Sequence, residues 1–303
     1  MNLNSTPKIC FIIGMMPRTG TNWAYDILMQ SNHTGNIGPI WEDNLLNHVE
    51  TLESAAKKIA SSWDSKWKAD HQKIEVLRLT ESLQKNFELG LEKFVHQQFL
   101  TSSCEADNPT YLILKSPNAW HIKPPKTLLQ RNKCIILTRN PHDLIASGMA
   151  SFGWGLFGAC NRYIESTKAI VQLNDSCNQC LTISFEDLKE NLCESVQQLY
   201  NYLDISLPSF DFSSLAVRGK SPTKKNEKMT WTAQGITSKE QIQKHKTSKI
   251  FMSKIQHMVV SELCIPAGKS LGYSFGAQKT PNVVRWGIRA AFRLFCFVRK
   301  LKG

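Results

Sequence analysis

Two stretches carry residue types suited to holding a multiply charged anion. The first is Pro17-Arg18-Thr19-Gly20-Thr21-Asn22-Trp23, which follows the apolar run from Lys8 to Gly14. A strand that feeds a glycine loop and a helix start aims backbone N–H groups at one point, and the helix dipole adds to the attraction. Arg18 contributes a cation, and Thr19 and Thr21 contribute hydroxyl donors. Five residues separate Gly14 from Gly20, where a Walker loop has four, and Thr21 stands where its lysine should be. Magnesium-dependent nucleotide hydrolysis is therefore disfavoured. Taken alone, the segment also fits an ordinary turn between strand and helix.

The second stretch is Arg139-Asn140-Pro141-His142-Asp143, continuing to Ser147, after the apolar run from Lys133 to Thr138. Pro141 opens a helix, a position proline favours. Ser147 lies two turns into that helix. A guanidinium with a nearby hydroxyl suits a phosphate monoester, although an arginine here could equally cap a carboxylate. Lys115-Ser116-Pro117 supplies a further cation after the run from Tyr111 to Leu114.

In this order, and each at a strand-to-helix junction, the first and second stretches resemble the sulfotransferases that use 3′-phosphoadenosine-5′-phosphosulfate (PAPS). Two more segments match the family: Phe185-Glu186-Asp187-Leu188, and Arg218-Gly219-Lys220-Ser221 with Trp231 downstream. The resemblance covers about residues 8 to 250. It implies that Arg18, Thr19, Gly20, Thr21 and Asn22 hold the 5′ end of the donor and that Trp23 stacks on adenine. It implies that Arg139, Ser147, Arg218 and Gly219 hold the 3′-phosphate. Phe185 lies beside adenine in this reading but lacks the hydroxyl of the family's tyrosine. Arg18 and Lys115 neutralise charge during transfer, and no metal is required.

The small-molecule branch of the family has a catalytic histidine two residues after this lysine; Pro117 stands there instead. The chain is thus closer to the carbohydrate and protein-tyrosine branches, which use a glutamate shortly after the first helix. Glu42, beside Trp41, occupies that place, and the indole can raise its pKa by desolvation. Asp43, His121 and His142 are alternative bases, and Glu42 also fits as a cap for a helix starting near Asn44. The implied reaction moves a sulfuryl group from PAPS to an acceptor hydroxyl or amine. The alternatives are a P-loop-type nucleotide kinase and a non-catalytic nucleotide-binding scaffold.

These residues require strands that end together. Apolar runs at 8–14, 111–114, 133–138 and 180–184 alternate with helical patterns, which predicts an α/β fold: a P-loop-like parallel sheet flanked by helices. Ligands in such sheets sit at the carboxyl ends of the strands. Residues 44–100 predict helices inserted after the first strand–helix unit, and 213–236, without periodicity, predict a long loop covering the nucleotide. The domain is expected to span 1–275, followed by a basic amphipathic helix over 276–303. There Arg285, Arg289, Arg293 and Lys300 recur on one side of the helix. It could dock on the domain, on a second copy in a homodimer, or peripherally on an anionic membrane.

The 303-residue composition is that of a globular protein: 42% hydrophobic and 20% charged. The net charge of +12 favours anionic partners; PAPS itself and an acidic glycan or other hydroxyl compound would meet it without nucleic acid. Nine cysteines without a framework point to a reducing, cytoplasmic setting. Cys177 and Cys180 form a single CxxC without the second pair a zinc site needs. The run from Ile9 to Met16 is too short to span a membrane.

Overall fold

The apolar runs become a five-stranded, all-parallel sheet in the computed structural model, which describes residues 6–36, 46, 49–62, 73–101, 109–122, 126–176, 180–209, 216–220, 231–235, 252–275 and 280–302. The strands are β1 (Lys8–Gly14), β2 (Thr34–Gly35), β3 (Tyr111–Ser116), β4 (Lys133–Thr138) and β5 (Cys180–Ser184), in the order β2-β3-β1-β4-β5. β1 is central, with Ile13 opposite Ser116 of β3 and Ile136 of β4. β4 continues to β5, with Thr138 opposite Ser184. This register brings Gly14, Ser116, Thr138 and Ser184 to one edge of the sheet.

Alternation along the strands divides the core in two. Ile9, Phe11 and Ile13 pack with Leu112, Leu114 and Ile136 on one face. Cys10 and Ile12 pack with Ile113, Ile135 and Leu137 on the other. Helices α1 (Thr21–Leu28), α7 (Phe185–Glu190) and α8 (Leu192–Leu203) cover the second face with Ile27, Leu188 and Leu199, all fully buried. The first face takes α4 (Lys126–Arg131), α5 (Pro141–Phe152), α6 (Leu156–Ser176) and the helix Lys254–Ser270, labelled α9, through Leu129, Ile145, Ile170 and Val260. Each such side chain contributes about 1.5–3 kcal/mol by leaving water.

The helices that rim the site are started by local chemistry. Asn140 caps α5 by accepting a hydrogen bond from the His142 amide at 2.9 Å, with Pro141 in the first turn. Ser184 caps α7 by accepting from the Asp187 amide at 2.9 Å. The insertion forms two helices, α2 (Val49–Ser62) and α3 (Lys73–Thr101), packed on each other.

One expectation is corrected. The segment 213–236 is not wholly a loop, because β6 (Ala216–Lys220) and β7 (Trp231–Gly235) pair antiparallel, with Arg218 opposite Ala233. Each is too short to show a strand periodicity, and their stability comes from pairing across ten intervening residues rather than from pattern. Among the described residues no helix is long and apolar enough to cross a membrane.

Candidate functional site at the carboxyl ends of the strands

The loop after β1 closes on itself. The Met16 amide donates to Thr19 Oγ1 at 3.2 Å, the Thr19 hydroxyl donates to the Met16 carbonyl, and the Thr19 amide donates to that carbonyl at 3.3 Å. Thr19 is fully buried, so it shapes the turn rather than lining it. Arg18 sits at φ 80°, a left-handed conformation that costs a non-glycine residue about 1–3 kcal/mol and recurs at functional loops. Gly20 follows at φ 97°, and a Cβ there would lie 2.6 Å from the Phe185 ring. Only glycine serves both demands. Helix α1 begins at Gly20 with no side-chain cap and no acid in its first turn. Its amino terminus therefore keeps its affinity for an external anion.

Three cations converge on this loop. Arg18 Nε donates to Ser147 Oγ at 3.2 Å, and Arg139 donates to the Arg18 carbonyl oxygen at 2.6 Å. The Arg139 guanidinium stacks over the Phe185 ring at 4.2 Å. Burial lowers the pKa of both arginines; for Arg139, Asp143 and Glu186 act in the opposite sense. Lys115, buried at the end of β3, donates to Asn22 Oδ1 and lies 5.8 Å from the centre of the Tyr25 ring. Asn22 thus positions Lys115. Trp23 is mostly buried, tilted against Phe185 with ring centres 5.8 Å apart.

The sequence-predicted residues Arg18, Thr19, Gly20, Thr21, Asn22, Trp23, Lys115, Arg139, Ser147 and Phe185 are therefore gathered at one sheet edge. Arg218 and Gly219 lie in β6, which runs against α1. Glu42 and Asp43 lie outside the described residues. His142 is engaged elsewhere: its Nε2 pairs with Ser261 Oγ at 2.9 Å and its ring stacks on His257 at 4.0 Å. Burial, and then His257, push its pKa down to about 4.

Several contacts at the site join residues to which the motif reading gave no role. Glu186 accepts from the Asn140 amide at 3.0 Å and from the Tyr273 hydroxyl at 3.1 Å, and burial raises its pKa against those bonds. Tyr273 also pairs with Thr138 at 3.0 Å, and the Tyr163 hydroxyl donates to the Arg139 carbonyl at 3.3 Å. Together they fix the end of β4. Ser116 Oγ, Asn118 Oδ1 and Arg139 Nε are buried without a partner among the described residues. Ser116 and Asn118 lie one and three residues after Lys115, so their place at a strand end was a usable signal. Tyr273 is remote in sequence and gave none.

The sequence model of the Sulfotransferase family matches residues 10–209, well over half the chain. This chain belongs to the sulfotransferase family. The match takes in the first loop, Lys115, Arg139, Ser147 and Phe185. This sulfotransferase is similar in structure to the sulfotransferase domain of the olefin synthase from Synechococcus PCC 7002. Identity is 15%, coverage is 90% of this chain and 98% of that one, and the TM-score is 0.47. It is also similar to the sulfotransferase domain of the curacin biosynthetic pathway, at 15% identity, 89% and 99% coverage and a TM-score of 0.48. The sulfotransferase STF9 from Mycobacterium avium is a further similar structure, at 14% identity, 68% and 66% coverage and a TM-score of 0.37. No curated protein matches the chain.

Proposed function

We propose that this sulfotransferase takes its sulfuryl group from PAPS and passes it to an acceptor hydroxyl or amine, releasing adenosine 3′,5′-bisphosphate. The observation that carries this reading is Arg139. Its guanidinium is braced by the Arg18 carbonyl and the Phe185 ring, its Nε is buried without a partner among the described residues, and Arg18 in turn donates to the Ser147 hydroxyl. A buried donor left unsatisfied costs about 1–3 kcal/mol, so such an arrangement suits a ligand oxygen. A phosphate monoester fits the guanidinium and hydroxyl together.

The residues divide the work by position. The amino terminus of α1, with Thr21 and Gly20, holds the 5′ end of the donor. Arg139 and Ser147, with Arg218 and Gly219 from β6, hold the 3′-phosphate. Trp23 and Phe185 flank the base, Trp23 mainly as the buried support of the pair. The donor supplies a sulfur made electrophilic by its phosphate leaving group. Glu42 takes the acceptor's proton as the acceptor's oxygen or nitrogen bonds to sulfur. Lys115 and Arg18 stabilise the electron pair that collects on the departing phosphate as the bridging bond breaks. Catalysis of this kind is mostly positioning and charge stabilisation. An acidic glycan suits the basic surface as acceptor, and a cytoplasmic location suits the free cysteines.

The test is turnover of sulfur-labelled PAPS against a panel of hydroxyl and amine acceptors in excess EDTA. The expected result is label transfer to one acceptor class in the chelator. Activity that requires magnesium and ATP would replace this reading with a nucleotide kinase.

A further inference from the structure

The carboxy-terminal helix α10 (Asn282–Lys302) has two apolar faces, and the domain covers only one. On the covered face Ile288 and Phe292 pack against the core, and the Phe157 ring of α6 meets Phe292 and Phe295 at 5.9 Å. Arg285 and Arg289 anchor the same side by sharing the carboxylate of Glu262 on α9, at 2.8 and 2.6 Å. The Glu262 side chain is only 7% exposed, so this double pair holds the helix in one orientation.

The opposite face carries Val283, Trp286, Leu294, Phe297 and Leu301, spaced by three, eight, three and four residues, which at 3.6 residues per turn forms one stripe. All are exposed, Trp286 by 77% and Leu301 by 72%. Arg293 and Lys300, seven residues apart and both exposed, run along one flank of the stripe. The helix contains six Lys and Arg and no Asp or Glu.

We infer that this face lies on the surface of an anionic lipid bilayer, with the helix axis in the membrane plane. Large apolar and aromatic side chains on one face and lysine or arginine beside them are what such a helix needs. A helix with six basic residues in 21 does not cross the bilayer, and none among the described residues can. Charge selects lipid over a second copy of the chain. Two such stripes pressed together would juxtapose Arg293 and Lys300 with their own kind, and the helix supplies no acid to meet them. Anionic headgroups meet them directly, at about fivefold in partitioning per basic residue.

The experiment is flotation of the full chain with phosphatidylcholine vesicles, with and without phosphatidylserine. The chain is expected to float with the phosphatidylserine vesicles only, with a blue-shifted tryptophan emission that Trp286→Phe removes. Leu294→Glu with Phe297→Glu should abolish flotation, and Arg293→Glu with Lys300→Glu should weaken it by at least about thirtyfold. All these positions are solvent-exposed, so circular dichroism and adenosine bisphosphate affinity should match wild type and show that the fold persists. A wild-type chain that stays in the aqueous fraction would overturn the inference. So would flotation unchanged by the two glutamates, or a lipid-free dimer that they dissociate, which would assign the stripe to a second copy.

Discussion

The two ends of the central sheet treat buried polar groups in opposite ways. At the amino end Asn132, Glu88 and Tyr202 are satisfied by backbone groups. Asn132 accepts from the Ile9 amide at 2.9 Å and donates to the Leu128 carbonyl at 3.0 Å. Glu88 accepts from the Leu128 amide at 2.7 Å, and the Tyr202 hydroxyl bridges the Cys134 amide and carbonyl at 2.9 and 3.1 Å. At the carboxyl end Ser116, Asn118 and Arg139 each retain a buried atom without a partner among the described residues, in the site that also holds Arg18 and Lys115. One end is completed by folding; the other is arranged for something that arrives later. Substitutions should therefore separate, with stability lost at the amino end and ligand or turnover lost at the carboxyl end.

The largest effect is expected at the proposed base. Glu42→Gln should lower kcat by roughly 10² to 10⁴ while leaving bisphosphate affinity nearly intact, since glutamine keeps the size and hydrogen bonding but cannot take the proton. It should also abolish the acidic limb of the kcat/KM profile. Lys115→Ala should damage turnover too, yet leave that limb in place. A Glu42→Gln enzyme with normal turnover and an unchanged limb would make Glu42 structural.

Next comes the amino end. Asn132→Ala removes the bond from the Ile9 amide, which ties β1 to the segment before β4, and the bond to the Leu128 carbonyl of α4; chemical denaturation should show a loss of about 1–3 kcal/mol. Bisphosphate affinity should not change. A variant that loses the nucleotide while keeping its stability would erase the contrast between the two ends.

A smaller effect is expected from His142. Its folded pKa, about 4, lies below the ordinary 6.5, so the neutral form is favoured by folding. That stability is present above pH 6.5 and is lost as the pH falls through 6.5 toward 4. His142→Gln should reduce the acid-induced loss relative to wild type by about 1 kcal/mol after solvent screening. Equal acid sensitivity in the two proteins would show that the burial of His142 against His257 is not what makes the fold sensitive to acid.

What could be read from the sequence follows physical range. β1 and β4 announced themselves as continuous apolar runs because both of their faces are buried. The loop at 17–23 and the Arg139 stretch were legible because the chemistry lies within a few consecutive residues. β2, with two residues, shows no pattern, and β6 with β7 exist through pairing. The brace from Tyr273 to Thr138 and Glu186 spans 135 and 87 residues, beyond any local signal. On α10 the basic residues 285, 289, 293 and 300 read as one side. The structure divides them, with Arg285 and Arg289 on Glu262 and Arg293 and Lys300 beside the exposed stripe.

The central claim is that Arg139 and Ser147 form a site for a 3′-phosphate, and calorimetry addresses it directly. Wild type should bind adenosine 3′,5′-bisphosphate at least tenfold more tightly than adenosine 5′-phosphate, since a charge-assisted bond contributes about 1.5–3 kcal/mol. Arg139→Ala should erase most of that preference while leaving the weaker affinity for the 5′-phosphate in place. Equal affinities for the two nucleotides in the wild-type protein would contradict the account.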